Sequence, residues 1–473
     1  MLFIPADRKA RAAALGLAGV LVLYLCLALA HTFMLRIYKP GDERRHTKYA
    51  VVLDKEGRLP TMKETLAANH PPLYYAVVAK TVLKGATSTR GIDDQVRRGR
   101  YLSVACGAIA LVYAFLIIRL LLPKHPAVAV HGTAVMAVIP SYANNCAVLA
   151  NDAASLAAQF AMIHGALVIL LRGPTWRRCL LLAVILSLVG LTRLSGVLVI
   201  PVALLAVAAG AWWHLGGSAR RRAALALLLT AALAGSVAVT SGWFYARNAA
   251  ASGDPTGQAA ILDRRQYHPV KPPLEVALDR DKWLELHDET WGRLAGLVHV
   301  EGGLKKLARW LTGLSLVGAL VALGRARVWE HGRHLWRRPQ AFAWVVMAGV
   351  WASVFLPAFV YHARGGGLHQ RYIFGALYIA TLGLALGVAW TRAKLVAILG
   401  LAAALVLSLS IHVTYGALIV RRVVTFPIEQ ALTNGLKADA NAGALALMVG
   451  LTFGVAAVMA AVTRLHRPLY DPS

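Results

Sequence analysis

The sequence predicts an all-α polytopic membrane protein with about 12 transmembrane helices and with interfacial helices in its first external loop. Two observations predict this class: 58% of the 473 residues are hydrophobic, and the mean hydropathy is +0.58, which few soluble domains reach. In addition, apolar stretches of about 20 residues, the length that crosses a bilayer core, recur along the chain. We find no tandem repeat, so we interpret residues 1–473 as a single transmembrane domain.

Apolar length places the transmembrane helices one after another along the chain. The predicted spans are 13–35, 100–122, 126–143, 152–171, 178–192, 195–213, 222–244, 304–323, 341–361, 372–391, 395–417 and 442–463. The span at 178–192 is short, and we expect it to be tilted or broken at the stretch "LTRLSG" that follows. The first span lacks a small-residue cleavage site before Arg36, so we interpret it as a retained helix rather than a signal peptide.

Basic residues in short loops determine the predicted orientation, because such residues collect on the cytoplasmic side. They occur near the N-terminus and in the loops 172–178, 218–222, 325–339 and 391–394. The long loops 37–99 and 245–303 then face the periplasm or exterior, and the chain is predicted to be a multi-pass protein of the bacterial inner membrane. Within the first of these loops, 43–56 and 72–84 have mixed apolar and basic faces, which predicts helices along the membrane interface.

The net charge is strongly positive, since 50 Lys and Arg face 22 Asp and Glu, which gives +28. In a polytopic protein such bases serve topology and contact with membrane lipids, so the charge does not predict nucleic-acid binding. The first external loop nevertheless carries more bases than acids, which indicates an anionic partner outside. The four cysteines lie in or beside apolar spans without paired spacing, so they indicate neither a disulfide framework nor a metal cluster.

An acidic pair, Asp42 and Glu43, follows the first span at the predicted lipid–water boundary. Carboxylates favour the N-terminus of a helix, so the pair has an ordinary structural interpretation. A carboxylate at this boundary can also accept a proton from a hydroxyl that approaches from the aqueous side. From the residues alone, both interpretations stay open.

Charged residues at the ends of apolar spans form a second group, which contains Asp152, Arg193 and Arg371. Ionisable groups at membrane depth are costly unless they are paired or face a wet cavity. The purely structural alternatives are that the arginines extend their side chains to the membrane interface and that Asp152 caps a helix. All three fall on the predicted outer side, where a pair of guanidinium groups suits a lipid phosphate because arginine binds phosphate oxygens bidentately.

Two external stretches add further candidates: "NHPPLYY" at 69–75 and "GWFYARNAAASGDPTG" at 242–257. His70 is either a structural histidine before a helix start or a metal ligand. Arg247 is either a head-group anchor or, together with Asn248, part of a phosphate or sugar site. The sequence has no phosphate-binding P-loop, no dinucleotide-binding glycine pattern and no nucleophile elbow, so ATP-driven transport is not predicted.

The order of the short motifs carries more information than any one of them. In chain order they are "GDERRHTKYAVVLDKEGRLP", "HPPLYY", "LAND", "LTRLSG", "GWFYARN", "HDETWGRLAG" and "RYIF". This succession resembles the C-type glycosyltransferase superfamily, and in particular its bacterial branch related to protein O-mannosyltransferases and aminoarabinose transferases. The resemblance covers residues 38–385 and is specific for the superfamily rather than for a substrate.

The resemblance implies a membrane hexosyl- or pentosyltransferase that uses a polyprenyl-phosphate sugar in a direct inverting displacement. It implies that Asp42 is the catalytic base, with Glu43 as the second choice. The residues that it implies for the donor phosphate and sugar are Arg193, Arg247, Asn248, Arg371, Tyr74, Tyr75 and Asp152. Some relatives have an acidic metal ligand where this sequence has His70, so a divalent metal ion stays open and no other cofactor is implied. The acceptor is expected to be a lipid, a polysaccharide or a protein.

Two other functions stay open. A transporter or flippase for a lipid-linked sugar predicts charges near the middle of several helices, whereas here most charges lie at the outer ends. A ligase that takes its glycan from a diphosphate-linked lipid shares the basic external loops, but it leaves the early acidic pair without a role.

Overall fold

The structure is a computed structural model, and it describes residues 8–35, 37–38, 42–89, 91–264, 266–294, 298–299, 303–325, 339–389, 399, 402–403, 405–406 and 450–465. Within these residues the chain is helical, apart from one antiparallel pair of two-residue strands, Arg293–Leu294 and Val298–His299. The prediction of an all-α protein is therefore confirmed.

The helices that the structure describes are numbered here in chain order. Their bounds are α1 Arg8–Met34, α2 Glu43–Glu56, α3 Leu73–Thr81, α4 Asp93–Leu121, α5 Pro126–Val138, α6 Pro140–Cys146, α7 Asp152–Arg172, α8 Trp176–Thr192, α9 Leu194–Val197, α10 Ile200–His214, α11 Ala219–Ser252, α12 Gln258–Arg264, α13 Pro273–Leu278, α14 Arg280–Gly292, α15 Gly303–Arg325, α16 Pro339–Ala363, α17 Leu377–Ala389 and α18 Ala456–Leu465. Two 3-10 segments, Leu66–Asn69 and Gln370–Ala376, and a π-helical turn at Gly450–Val455 accompany them.

Six helical segments among the described residues are long and apolar enough to cross a membrane, or seven if the bent pair α5 and α6 counts as one span. The six are Lys9–Phe33, Asp93–Leu121, Asp152–Arg172, Leu194–His214, Ala219–Ser252 and Pro339–Ala363. Each coincides with a predicted span. The total of about 12 stays a prediction. The predicted spans 178–192 and 304–323 are helical, as α8 and α15, but are not among these segments. The predicted span 395–417 lies almost wholly outside the described residues, and 372–391 and 442–463 lie partly outside them.

One predicted span, 126–143, is not straight, because the axes of α5 and α6 differ by 68°. Proline lacks a backbone N–H and disfavours the helical conformation of the residue before it. Pro140 opens α6, and Ile139 before it is extended at φ −60 and ψ 117. The bend turns α6 towards α14 of the second long loop, where the Ser141 hydroxyl donates a 2.7 Å hydrogen bond to the Thr290 carbonyl.

The main core lies where α4 packs on α7, with α1, α5, α8 and α10 around this pair. Small residues permit the close approach, as is usual between membrane helices. A Cβ on Gly107 of α4 would lie 1.9 Å from the hydroxyl oxygen of Tyr24, and a Cβ on Gly210 of α10 would lie 2.5 Å from the Ile169 carbonyl oxygen. Any larger side chain at either position would push two helices apart.

The first external loop has a hydrophobic cluster of its own, formed mainly by α2 and α3. At its centre the rings of Tyr49 and Tyr75 stack with their centroids 3.8 Å apart. The helices predicted at 43–56 and 72–84 are thus present as α2 and α3, and their position along the membrane interface stays a prediction. The cluster fixes α2 as a rigid support for the residues at its N-terminus.

Candidate active site

A cavity of about 180 Å³ lies between the first external loop and the ends of α7, α9 and α16. Its charged and polar lining includes Asp42, Arg45, His46, Asn69, His70, Asp152, Gln159, Arg193 and Arg371. Its apolar lining includes Leu194, Leu198, Val354, Pro357, Ala358 and Phe374. The cavity therefore combines a cluster of charges with an apolar wall drawn from helices of membrane-spanning length.

Asp42 is the N-cap of α2 and borders this cavity between two arginines. One carboxylate oxygen accepts a 2.6 Å hydrogen bond from Arg45 and the other accepts one of 2.6 Å from Arg371. Burial by itself raises the pKa of Asp42, but the charge of Arg371 outweighs it, so that the pKa lies well below its usual range. Asp42 is therefore ionised at neutral pH.

Arg193 reaches the cavity because the helix is broken at this residue. α8 ends at Thr192, Arg193 is extended at φ −163 and ψ 143, and α9 begins at Leu194. The predicted break at "LTRLSG" is thus confirmed. Arg193 forms an ion pair with Asp152, the first residue of α7, and both side chains are nearly buried, with 11% and 7% of their surface exposed. The Asn151 amide donates a 2.9 Å hydrogen bond to the Thr192 carbonyl and closes the break.

Arg371 lies in the 3-10 segment Gln370–Ala376 and interacts with both aspartates. Burial lowers its pKa, but the charges of Asp152 and Asp42 outweigh this effect and raise it. Among the described residues, the charged lining thus consists of three arginines and two aspartates, which leaves one positive charge in excess. Such a site suits an anion with oxygen acceptors, such as a phosphate ester.

Glu43 is adjacent to Asp42 but faces away from the cavity and is fully buried. Arg100 of α4 donates two hydrogen bonds of 2.8 Å to its two carboxylate oxygens. The backbone N–H groups of Tyr38 and Leu149 donate two more, of 2.8 and 3.0 Å. The choice of Glu43 as the alternative base stays a prediction, but in this geometry its oxygens are already engaged and do not line the cavity, which favours a structural role.

Four residues predicted to bind the donor lie behind the lining of this cavity rather than in it. The Tyr74 hydroxyl is 2.9 Å from the Ser103 hydroxyl, and the Tyr75 hydroxyl is 2.7 Å from Nδ1 of His46. Arg247 donates a 2.8 Å hydrogen bond to the Pro60 carbonyl and so joins α11 to the first external loop. The fourth, Asn248, is buried in α11. In this geometry the four residues support the cavity wall.

His70 lines the cavity, and its ring stacks on that of His46 with centroids 5.8 Å apart. Burial lowers the pKa of His70 well below its usual value, so the ring is neutral. Across the described part of the chain, no group of three or more His, Cys, Asp or Glu side chains is placed to hold a metal ion. The structure thus gives His70 no partner ligands for the predicted metal role, and metal dependence stays open.

Several lining residues are missing from the sequence-based prediction, and three of them lie in the first external loop: Arg45, His46 and Asn69. For two of them a signal was available, because residues three and four positions after Asp42 share its face of a helix. Asn69 directly precedes His70 and carries no such periodic signal.

The architecture is similar to that of a solved membrane enzyme. ArnT, an aminoarabinose transferase, from Cupriavidus metallidurans bound to undecaprenyl phosphate is 14% identical to this chain. The alignment covers 96% of this chain and 78% of that chain, with a TM-score of 0.50. The chain has the fold of this ArnT structure. At this level of identity the likeness concerns the fold and not the substrate.

Two archaeal structures are also similar, at lower TM-scores. The oligosaccharyltransferase from Archaeoglobus fulgidus in complex with Zn and sulfate is 12% identical, with 83% of this chain and 53% of that chain covered and a TM-score of 0.46. AglB from the same organism, in complex with an inhibitory peptide and a dolichol-phosphate, is 11% identical, with 95% and 56% covered and a TM-score of 0.44. This chain thus spans little more than half of their length. No protein-family model and no curated protein matches the chain.

Proposed function

We propose that this protein is an integral membrane glycosyltransferase that moves a sugar from a polyprenyl-phosphate donor to a hydroxyl of its acceptor. We further propose that it acts at the periplasmic face of a bacterial inner membrane. The observation that carries the proposal is the cavity itself, in which the ion pairs Asp42–Arg371 and Asp152–Arg193 lie beside an apolar wall. The fold supports it as well, because the ArnT structure with this fold is bound to undecaprenyl phosphate, the lipid part of such a donor.

The donor phosphate would bind among Arg193, Arg371 and Arg45. Arginine presents planar, paired donors that match phosphate oxygens, and a nearly buried guanidinium interacts more strongly with an anion than an exposed one does. The polyprenyl chain would follow the apolar lining at the end of α9 and in α16, which includes Leu198, directly after α9, and Pro357. An amphipathic ligand with an anionic head and a long hydrocarbon tail fits both parts of the cavity.

In the proposed reaction an acceptor hydroxyl attacks the anomeric carbon of the sugar from the side opposite the phosphate. The bond from that carbon to the phosphate oxygen breaks, the hydroxyl proton passes to Asp42, and the glycoside forms with inverted configuration. Polyprenyl phosphate leaves with one more negative charge than it had as a diester. Arg193 and Arg371 stabilise this added charge electrostatically, where it develops.

Binding of the donor would also prepare the base. While Arg371 is bonded to Asp42, the carboxylate is a weak proton acceptor because the adjacent cation stabilises its ionised form. A phosphate that takes over the Arg371 hydrogen bonds removes part of this stabilisation. The pKa of Asp42 then rises towards the range in which a carboxylate is an effective base, and it does so only when the donor is present.

The test uses the purified full-length protein in nanodiscs with a panel of radiolabelled polyprenyl-monophosphate sugars and cell-envelope extract as the acceptor. Release of polyprenyl phosphate is compared between the wild type, Asp42→Asn and the matched control Asp94→Asn, whose side chain is exposed at the start of α4. We expect Asp42→Asn to lower kcat by about 10²- to 10⁴-fold, as for a lost general base, and Asp94→Asn to turn over normally.

Other outcomes point elsewhere. Donor binding without release, with varied acceptors and added divalent metal, would favour a transporter of lipid-linked sugars. Absence of binding to every monophosphate donor would favour a ligase that uses diphosphate-linked lipids. Equal turnover by the wild type and Asp42→Asn would remove Asp42 as the base.

A further inference from the structure

We propose that His46, Asn69 and His70 form the sugar subsite of the cavity and that this subsite takes an uncharged sugar. The inference rests on the proposed function and deepens it. All three residues line the same cavity as the ion pairs. Among the described residues, the side chain of none of them forms a hydrogen bond or an ion pair with a charged side chain. They therefore form a neutral polar wall beside the charged one.

His46 presents an N–H group to this cavity. The Tyr75 hydroxyl lies 2.7 Å from Nδ1 of His46, and this is its only hydrogen bond within the described residues. Because a buried hydroxyl without an acceptor is destabilising, we assign its hydrogen to this bond, with Nδ1 as the acceptor. Burial lowers the pKa of His46 to about 4, so the ring is neutral and its single proton is on Nε2. Nε2–H is then the ring's remaining polar group, a neutral donor for a ligand oxygen.

Asn69 and His70 supply unsatisfied polar atoms to the same wall. Oδ1 of Asn69 and Nδ1 of His70 are buried and have no hydrogen-bond partner among the described residues. Buried polar groups are normally paired, and leaving one unpaired destabilises the protein. A ligand that brings hydroxyl groups satisfies both atoms, because a hydroxyl donates one hydrogen bond and accepts others. A bare phosphate diester has no hydrogen to donate to Oδ1 of Asn69.

The second external loop holds Asn69 in place. Gly257 has φ +65, a conformation that favours glycine, and a Cβ there would lie 3.0 Å from Cβ of Asn69. Gln258 and Tyr267 from the same loop also line the cavity. The loop therefore packs against the neutral wall at the place where a sugar would be covered.

The charges of the site argue against an ionic sugar. Among the described residues this wall carries no charge, and the nearest carboxylates, Asp42 and Asp152, already hold Arg371 and Arg193. The donor phosphate balances the one positive charge in excess, so an ammonium or a carboxylate on the sugar would lose its hydration without gaining a net counter-charge. Neutral hydroxyl groups match the donor and acceptors of the wall without this penalty.

The test compares a polyprenyl phosphate with and without its sugar, and the affinity of each variant is referred to that of the wild type for the same lipid, because the free phosphate also carries one more negative charge. Affinities of the nanodisc-embedded full-length protein are measured for polyprenyl phosphate and for polyprenyl-phosphate hexose. For Asn69→Ala and His46→Phe we expect roughly three- to tenfold weaker binding of the sugar lipid, as for one lost neutral hydrogen bond, and less than twofold change for polyprenyl phosphate. Arg371→Met should weaken both, and Lys48→Ala, on the exposed side of α2, should weaken neither.

Tyr75→Phe keeps the ring that stacks on Tyr49 but removes the hydroxyl that orients His46. It should therefore reproduce the loss for the sugar lipid alone, to a smaller extent than His46→Phe. A variant that merely loosened the fold would weaken both ligands, so the difference between them distinguishes recognition from a structural effect.

Several outcomes overturn the inference while the proposed function stands. Equal weakening of both lipids by Asn69→Ala and His46→Phe would assign the wall to the phosphate, and unchanged binding of both would remove it from the site. Tighter binding of an amino-sugar lipid than of the neutral one would reject the uncharged sugar. If the wild type binds neither lipid, the proposed function itself fails.

Discussion

The buried ion pair of Arg100 and Glu43 holds the candidate base in position. Arg100 is fully buried in α4, and its guanidinium donates to both Glu43 oxygens at 2.8 Å. The same group donates to the carbonyls of Thr32 and Leu35 at the end of α1, at 3.1 and 2.7 Å. Arg100 thus ties α1, α4 and the start of α2 together, one residue from Asp42. We predict that Arg100→Met lowers both the stability of the fold and the turnover number.

The expected magnitude follows from the burial of both partners, since neither side chain is exposed. Removing one member of a buried ion pair leaves an uncompensated charge and costs about 3–5 kcal/mol. In Arg100→Met, Glu43 keeps the two backbone N–H donors but loses its counter-charge. The double variant Arg100→Met with Glu43→Gln removes both charges, so it should cost less than the sum of the two single variants, by about 0.5–3 kcal/mol.

The assay is thermal unfolding of the purified protein in detergent, combined with turnover of the donor. Arg98→Met, which changes an exposed arginine of the same helix, is the matched control. Unfolding of Arg100→Met at the wild-type temperature, or strict additivity of the two single variants, would refute the structural role of the pair. A different result would make Glu43 the base: Glu43→Gln would lose all turnover while keeping its stability, and Asp42→Asn would remain active.

Three further predictions concern the cavity. Arg371→Met removes the charge that lowers the pKa of Asp42, and the pKa of Asp42 should therefore rise. In a pH–rate profile the acidic limb of kcat/KM should then move to higher pH, and an unmoved limb would contradict the pairing of these two residues. Burial lowers the pKa of His46 from 6.5 to about 4, so between these pH values the unfolded chain binds more protons than the folded one. The free energy of unfolding should therefore fall as the pH drops from about 6.5 to about 4. Thermal unfolding measured against pH should show this slope, and His46→Phe should flatten it. The two described aspartates of the cavity already pair with arginines, Asp152 with Arg193 and Asp42 with Arg371, so turnover should survive removal of metal ions by EDTA. A loss of turnover in EDTA that a divalent metal restores would count against this expectation.

Apolar length was sufficient to predict α1, α4 and α7, because crossing a bilayer requires a run of about 20 apolar residues and little else. The same criterion fails between α5 and α6. There the run 126–143 stays apolar throughout, and only Pro140 distinguishes a bent pair from a straight span. Hydropathy does not report on backbone geometry, and a proline inside a membrane helix is tolerated often enough that its presence alone does not predict a 68° bend.

The candidate site was predictable in part for a similar reason. Asp42, Asp152, Arg193 and Arg371 are separated by up to 329 residues, and the sequence predicts that they meet because all four fall on the same predicted side of the membrane. Which of the two adjacent acids enters the cavity was not predictable. The side chains of two consecutive helical residues point about 100° apart. Here Arg100, which lies 57 residues from Glu43 in the sequence, binds Glu43 and so leaves Asp42 facing the cavity.

The aspartate partners of the arginines bear on product release as well as on binding. An unpaired arginine near membrane depth is costly, and Asp42 and Asp152 reduce that cost for Arg371 and Arg193 while the cavity is empty. On the proposed function, the product carries one more negative charge than the donor, so free arginines would hold the product more tightly than the donor. Carboxylates that compete for the same guanidinium groups weaken that hold. The ion pairs thus limit ground-state binding of both lipids while leaving the arginines available when charge develops on the departing phosphate.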